Sequence, residues 1–177
     1  NPEDSKRLLM KMGGIVGDLL ADQVNSGGAD VVQIFDTWAG LLSNEDYRNL
    51  SQIATEKAIQ VFREKSKKFV PLIHYAKGSG HLHNQIRDMD IQGLSLDWRD
   101  DMRYNRENYG EMIAFQGNLD PSKLHGSTDV AKEAAARVLK LAGGKPGHIF
   151  NLGHGFAPSA RIDCVEAVIR TVCGDIP

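Results

Sequence analysis

Cysteine is scarce in this sequence, which has only Cys164 and Cys173 among its 177 residues. The two lie nine residues apart in a predicted helix, and this spacing puts them on opposite helix faces. An internal disulfide would require the helix to unwind, because the two sulfur atoms must come within bonding distance. The sequence therefore excludes a disulfide within this helix and favours a reducing cytoplasm.

Long apolar runs are also missing, since no stretch approaches the roughly 18 consecutive apolar residues of a transmembrane helix. No signal-peptide pattern and no internal repeat is visible. The net charge is −2, and the only dense basic run, Arg63 to Lys68, is interpreted as the solvated end of a helix. These features argue against membrane and nucleic-acid partners.

The sequence does contain enough apolar residues for a sizeable core. Its hydrophobic content of 41% predicts one globular domain over residues 1–177. The first residue is Asn1 rather than methionine, which indicates a processed or excised piece of something longer.

Five apolar segments of strand length alternate with segments of helical pattern. The predicted strands are VVQIF, FVPLIHYA, IQGLSL, MIAFQ and HIFNL. Predicted helices cover the opening segment from its cap Asn1 to Gly27, a segment from a capping box at Ser43 to about Ser66, and residues 81–87, 99–109, 128–142 and 163–172. Strands that are apolar on both faces and alternate with helices predict parallel pairing with helical cover, an α/β fold.

All five predicted strands end in polar residues or glycine. The carboxyl ends of parallel strands share one edge, where ligands bind in α/β folds. Five strands are too few for the eight of a closed barrel, and the opening helix has no strand before it. The chain is therefore predicted to be a partial TIM-type (β/α)8 barrel with about five strands. Periodicity alone also fits a self-contained five-stranded sheet of the flavodoxin kind.

The most distinctive stretch is HIFNLGHGFAP, in which His154 lies between Gly153 and Gly155 after the last strand. The glycines favour a sharp turn or a close approach to a ligand, so His154 is expected to project with little covering it. A histidine there can bind a carboxylate or transfer a proton near neutral pH. An ordinary turn gives the same pattern, and the third glycine of a GxGxxG nucleotide loop is missing.

Other polar residues near strands leave two interpretations open. Thr37 could donate to an anionic group or complete an ordinary turn. Asp97 is favoured as a cap of the segment that follows it, and His74 as a packed or lumen-facing histidine inside a strand. His81 and His83 lie two residues apart, but no cysteine is near them, so a zinc site is disfavoured.

Five segments carry a family resemblance, in the order VVQIFDTWAG, VPLIHYAKGSG, GLSLDWRDD, FQGNLDP and HIFNLGHGFAP. Together they resemble the carboxyl-terminal part of the uroporphyrinogen decarboxylase family. The resemblance implies a cytoplasmic (β/α)8 barrel, usually a homodimer, with no metal or organic cofactor. It implies a carboxy-lyase that decarboxylates the four acetate side chains of uroporphyrinogen III to give coproporphyrinogen III in haem and chlorophyll synthesis.

The resemblance also implies roles for two residues. His154 matches the substrate-contacting histidine of the family's NLGHG motif, and Thr37 matches a substrate-binding hydroxyl position that is commonly serine. The family's aspartate, arginine-rich motif and substrate-binding tyrosine belong to earlier segments, so no catalytic residue and no metal ligand is expected in this chain. The stretch after Pro158 and the SNED segment depart from the family's usual pattern.

Two alternatives remain. Related cobalamin-dependent methyltransferases hold zinc through a His-x-Cys pair after a strand, but here His74 is followed by Tyr75 and Ala76. The other alternative is a noncatalytic fragment, a truncated or engineered half-barrel that folds by pairing its open sheet edges in a dimer.

Overall fold

The predicted alternation of strands and helices is present in the computed structural model, which describes residues 1–174. Five strands follow one another in a single sheet in chain order: β1 (Val32–Phe35), β2 (Leu72–Tyr75), β3 (Gly93–Ser95), β4 (Ala114–Gln116) and β5 (His148–Ile149). β1 pairs with β2 and β4 pairs with β5, in both cases in parallel. The predicted α/β fold class is therefore confirmed.

The helices before, between and after these strands are α1 (Pro2–Asn25), α2 (Asn44–Asp46), α3 (Ile53–Lys65), α4 (His83–Arg87), α5 (Met102–Tyr109), α6 (Thr128–Ala142) and α7 (Ile162–Cys173). A π-helical stretch, Tyr47–Gln52, joins α2 to α3. No helix within residues 1–174 combines the length and the apolar content that a membrane-spanning segment needs. By internal contacts the chain divides into two units, Asn1 to Leu94 and Ser95 onward.

In the first unit, α1 packs against α3 through a face that contains glycine. A Cβ atom at Gly13 would lie 2.4 Å from the carbonyl oxygen of Ala54, and one at Gly17 would lie 2.5 Å from that of Ala58. Glycine therefore allows the two helix backbones to approach this closely. The opposite face of α1 carries four apolar side chains that are more than half exposed: Leu8, Met12, Ile15 and Leu19.

The register of β1 and β2 assigns their side chains to two faces of the sheet. Ile34 pairs with His74 and Phe35 pairs with Tyr75, and paired residues of adjacent parallel strands point to the same face. Ile34 and His74 are buried, whereas Phe35 is 68% exposed. His74 therefore shares the face of Ile34, whereas Phe35 and Tyr75 lie on the other face with ring centroids 6.0 Å apart.

In the second unit, α6 and α7 bury an apolar cluster with the segment after β4. Its fully packed members are Leu119, Leu124, Ala131, Ala135, Val138, Cys164 and Val168. Cys164 is buried and Cys173 is exposed, and both are free thiols. The two cysteines thus lie on different faces of α7, as their spacing predicts.

The loop that enters β5 is held by Arg106 on α5. Its guanidinium donates hydrogen bonds to four backbone carbonyls, those of Ala142 (3.2 Å), Lys145 (3.2 Å), Pro146 (2.8 Å) and Gly147 (2.9 Å). Carbonyls at a helix end and in a loop lack partners of their own within the helix, so one arginine satisfies several of them. Arg106 therefore fixes the point at which β5 begins.

The fourth and fifth strands are shorter than the predicted MIAFQ and HIFNL. β4 ends at Gln116 because Gly117 has a φ of 119°, which side-chain-bearing residues rarely adopt. The parallel hydrogen bonding nevertheless continues past both strands, since Leu119 N donates to Asn151 O at 3.1 Å. The loop after β5 is thereby tied to the segment after β4.

Candidate functional site

The loop after β5 approaches the backbone of the segment after β3. A Cβ atom at Gly153 would lie 2.2 Å from Trp98 N and 2.7 Å from Trp98 Cα. Gly153 also donates a backbone hydrogen bond to Leu119 O at 2.8 Å. A Cβ at Gly155, by contrast, would have no heavy atom of the described part of the chain within 4 Å, its sequence neighbours aside. Gly153 therefore allows a close approach, as predicted, but the group that it approaches is the protein backbone and not a ligand.

His154 is half-buried beside the indole of Trp98. The two ring centroids are 6.2 Å apart and the ring planes meet at 30°, a stacked arrangement. The prediction that little covers His154 is therefore wrong. Its covering group comes from a segment more than fifty residues earlier in the chain, which the local glycine pattern could not reveal.

Asp97 follows β3 and is fully buried. Its carboxylate accepts a hydrogen bond from Arg99 N at 3.0 Å and closes a local turn, whereas the N-cap of α5 is Asp101. The Asp97 carboxylate also accepts two bonds of 2.8 Å from Nε and Nη2 of the Arg99 guanidinium. The guanidinium carbon lies 4.7 Å from the centre of the Trp98 ring. One indole thus contacts both Arg99 and His154.

The turn from residue 97 to residue 100 is braced by amide and carboxylate groups. Asn118 Nδ2 donates to the carbonyls of Asp97 (2.9 Å) and Asp100 (2.8 Å), and Asp100 Oδ2 accepts from Asp97 N at 2.9 Å. Burial raises the pKa of Asp100 to about 6, and the Asp97 carboxylate adds to this rise, while the bond from Asp97 N and the charge of Arg99 oppose it. These bonds hold Trp98 and Arg99 in a defined turn.

Thr37 belongs to the first unit, where it lies half-buried in the turn after β1. The preceding residue, Asp36, accepts a hydrogen bond from the Ser51 hydroxyl, and its N–H donates to Tyr75 O at 2.8 Å. Burial raises the pKa of Asp36, and the bond from Ser51 counteracts part of that rise. The entry to the Thr37 turn is therefore fixed by side-chain and backbone bonds.

The remaining histidines of the first unit occupy different environments. His74 is fully buried on β2, and neither ring nitrogen has a hydrogen-bond partner within residues 1–174. Burial, followed by the charge of His83, lowers the pKa of His74 to about 4, so the ring is neutral near pH 7. His81 is exposed with Nε2 2.9 Å from Leu42 O, whereas His83 is buried. Residues 1–174 contain no cluster of three or more His, Cys, Asp or Glu side chains placed to hold a metal ion.

Comparison with known proteins gives the family. The family model for uroporphyrinogen decarboxylase matches residues 1–174. The chain belongs to the uroporphyrinogen decarboxylase family. A uroporphyrinogen decarboxylase from Saccharophagus degradans is 38% identical over 173 residues, which cover 97% of this chain and 49% of that protein. One from Coxiella burnetii is 39% identical over 176 residues, covering 97% of this chain and 47% of that protein.

The chain spans about half the length of these curated relatives. Among solved structures, a methyltransferase from Methanosarcina mazei has a similar fold, with a TM-score of 0.67 over 85% of this chain and 44% of that one. The identity is 22%, so this likeness concerns the fold alone. Together with the five-stranded sheet, it confirms the predicted partial (β/α)8 barrel.

Two residues of the site were not predicted from the sequence, namely Trp98 as the stacking partner of His154 and Arg99 as the ion-pair partner of Asp97. The segment LDWRDD contained a usable signal, because an arginine two residues after an aspartate can bond back to it across a turn. The position of the indole against His154 depends on two distant loops. No local pattern encodes it.

Proposed function

We propose that this chain is the carboxyl-terminal part of a uroporphyrinogen decarboxylase and contributes to its substrate site. The main support is His154, which lies in a loop at the carboxyl end of β5 and stacks on Trp98 in a chain of this family. Ligands of parallel α/β folds bind at this edge of the sheet. The loop is held by its close contact at Gly153, which suits a residue that must present an imidazole in one orientation.

His154 and Thr37 are the substrate-binding residues in this proposal. Uroporphyrinogen carries eight carboxylates, and burying such charges is costly unless hydrogen-bond donors compensate them. An imidazole N–H and a threonine hydroxyl supply such donors at two strand ends. This chain supplies binding groups, whereas the aspartate of the family motif lies in a segment outside it.

The proposed reaction is the release of carbon dioxide from each acetate side chain, with no metal or organic cofactor. The bond between the methylene carbon and the carboxyl carbon breaks, and its electron pair passes to a pyrrole ring that has first been protonated. A proton then adds to the methylene carbon to give a methyl group, and the ring carbon releases the proton that it first took up, which restores the neutral pyrrole. The product is coproporphyrinogen III, as part of haem and porphyrin synthesis.

The proposal includes a cytoplasmic location and a homodimer, both of which follow from the family resemblance. Residues 1–177 act in it as one portion of the barrel. A noncatalytic half-barrel is the second candidate, because the chain covers only about half of its relatives. A zinc-dependent methyltransferase is disfavoured, since His74 is fully buried and is followed by Tyr75 and Ala76.

Anaerobic binding of uroporphyrinogen to the chain, followed by tryptophan fluorescence, tests the proposal. His154→Ala is expected to weaken binding by about tenfold or more, which is the loss of one charge-assisted hydrogen bond. Thr37→Val, which removes the hydroxyl and keeps the shape, is expected to weaken it less, because the donor is neutral. His125→Ala is a matched control, since His125 is an exposed histidine in a short helical turn before α6.

Binding that is unchanged in both His154→Ala and Thr37→Val would overturn the proposed roles of the two residues. Equal losses in His154→Ala and His125→Ala would point to a general effect of removing surface histidines. Loss confined to the two proposed residues would support a substrate site at the strand ends.

A further inference from the structure

We propose that Arg99 is a second carboxylate-binding group of this site, presented next to His154 on the shared surface of Trp98. The ligand is a polycarboxylated tetrapyrrole, so the inference rests on the proposed function. Neither the family motif nor the sequence pattern assigns a role to this arginine.

Asp97 fixes the direction in which the Arg99 guanidinium points. The carboxylate is fully buried and receives Nε and Nη2 at 2.8 Å each, the geometry of a two-bond arginine–carboxylate fork. The same carboxylate accepts the Arg99 backbone N–H at 3.0 Å. Main chain and side chain of Arg99 are therefore both tied to one buried anchor, which lowers the conformational entropy lost when a ligand binds.

The guanidinium remains accessible although it is anchored. The Arg99 side chain is 56% exposed, whereas that of Asp97 is 0% exposed. A ligand carboxylate can therefore approach the exposed side of the group while the anchor stays in place.

Trp98 links this arginine to the proposed substrate histidine. The guanidinium carbon is 4.7 Å from the indole centroid, and the His154 ring centroid is 6.2 Å from it. Two donors for anions thus contact one aromatic side chain at the carboxyl ends of β3 and β5. This arrangement suits a ligand that carries several carboxylates around a ring, because neighbouring carboxylates can meet different donors.

The chain offers a closely matched control in Arg161. This arginine also pairs with an aspartate two residues away through a two-bond fork, here with an aspartate that follows it in sequence, from Nε to Asp163 Oδ1 at 3.0 Å and from Nη2 to Asp163 Oδ2 at 2.5 Å. Its side chain is 54% exposed, nearly the same as that of Arg99. Arg161 has a similar fork geometry, but its partner Asp163 is 49% exposed, and Arg161 precedes α7 rather than following β3.

The test measures binding of uroporphyrin, the stable oxidised form with eight carboxylates, by quenching of Trp98 fluorescence. Trp38→Phe serves as the background, so that Trp98 is the single tryptophan. Arg99→Gln is expected to raise the Kd about tenfold or more, and Arg161→Gln to change it less than twofold. Arg99→Lys is expected to fall between them, because it keeps the charge and loses the fork. Circular dichroism checks that each variant is folded.

Several outcomes would overturn the inference. An unchanged Kd in both Arg99→Gln and Arg99→Lys would show that Arg99 does not contact the ligand. An equal rise in Kd in Arg161→Gln would show that the effect comes from the change in net charge and not from a contact with Arg99. No binding by the Trp38→Phe background would overturn both this inference and the proposed substrate. If Arg99→Gln fails to fold, Arg99→Lys decides the case alone.

His154→Ala in the same background separates this inference from the proposed function. Weaker binding in His154→Ala with normal binding in Arg99→Gln would support the proposed function and show that Arg99 does not bind the ligand. The reverse result would support Arg99 and remove the proposed role of His154. Weaker binding in both, with Arg161→Gln normal, supports the two residues as parts of one site.

Discussion

At the scale of single residues, Gly153 decides where the loop that carries His154 can lie. The backbone of Trp98 occupies the space that a side chain at this position would need. The stacking of His154 on Trp98 therefore depends on the absence of a single carbon atom at the preceding residue.

Gly153→Ala is expected to destabilise the protein by about 1–3 kcal/mol, the usual cost of overpacking, and to separate His154 from Trp98. Urea unfolding measures the first effect, and Trp98 fluorescence in a Trp38→Phe background measures the second. Gly155→Ala is the matched control, since a Cβ there meets no atom within 4 Å, and it should change stability by less than about 0.5 kcal/mol. Equal effects of the two substitutions would contradict the close approach at Gly153.

His74 predicts a pH dependence of folding. Its pKa is about 4 in the folded protein and 6.5 for the unperturbed group, so the unfolded chain binds a proton that the folded protein does not in this interval. The contribution of neutral His74 to the free energy of unfolding is therefore fully present above about pH 6.5. It is lost as the pH decreases toward 4, by up to about 3 kcal/mol.

His74→Leu should remove most of this loss between pH 6.5 and 4, because leucine fills a buried apolar site without titrating. Urea unfolding at a series of pH values measures the effect. His125→Leu, at an exposed histidine, should retain the wild-type dependence. A His74→Leu protein that loses stability with acid as steeply as the wild type would show that other groups cause the dependence.

Hydrogen bonds between residues close in sequence could be predicted from the sequence, but contacts between side chains of distant loops could not. The bond from Arg99 N to the Asp97 carboxylate follows from the short-range preference of aspartate to accept from nearby backbone N–H groups. The contact of His154 with Trp98 requires two loops to meet, and no periodicity or motif in either loop describes that distance.

At the scale of elements, α1 and α3 depend on the glycine face of α1. Gly17→Ala is expected to reduce stability by about 1 kcal/mol or more. The higher helix propensity of alanine would raise the free energy of unfolding by up to about 1 kcal/mol. The new Cβ would, however, lie 2.5 Å from Ala58 O and 2.6 Å from Val61 Cβ, and this overpacking outweighs the gain. Urea unfolding followed by circular dichroism measures the net change.

Gly14→Ala in the same helix is the control for this prediction. A Cβ at Gly14 has no atom within 4 Å, so only the propensity gain remains and the variant should be up to about 1 kcal/mol more stable. Stabilisation by both substitutions would contradict the close packing of α1 against α3.

Helix starts were the best-predicted features of the elements. Asn1 Oδ1 accepts from Glu3 N at 3.1 Å and Ser43 Oγ accepts from Asp46 N at 3.0 Å, as local capping preferences indicate. The packed face of α1 was harder to identify, because its apolar spacing marks Leu8 and Ile15, which are exposed. Small residues bury little apolar area of their own, so hydrophobic periodicity does not mark a glycine contact.

At the scale of the whole molecule, the chain corresponds to about half of the relatives that it matches. The five strands could be predicted because each apolar segment is flanked by turn residues and alternates with helices, but this pattern also fits a flavodoxin-like sheet and so did not give the strand order. The split into two units, from Asn1 to Leu94 and from Ser95 onward, could not, because it reflects contacts between residues distant in sequence.

The most direct measurement is anaerobic turnover of uroporphyrinogen by a chimera, followed by chromatography of the oxidised porphyrins by carboxylate number. In the chimera, residues 1–174 replace the matching part of the Saccharophagus degradans relative. The account predicts products with seven to four carboxylates, reduced about tenfold or more by His154→Ala and unaffected by His125→Ala. An unchanged eight-carboxylate peak from a chimera that folds as well as its parent would contradict the proposal that this chain forms part of a decarboxylase site.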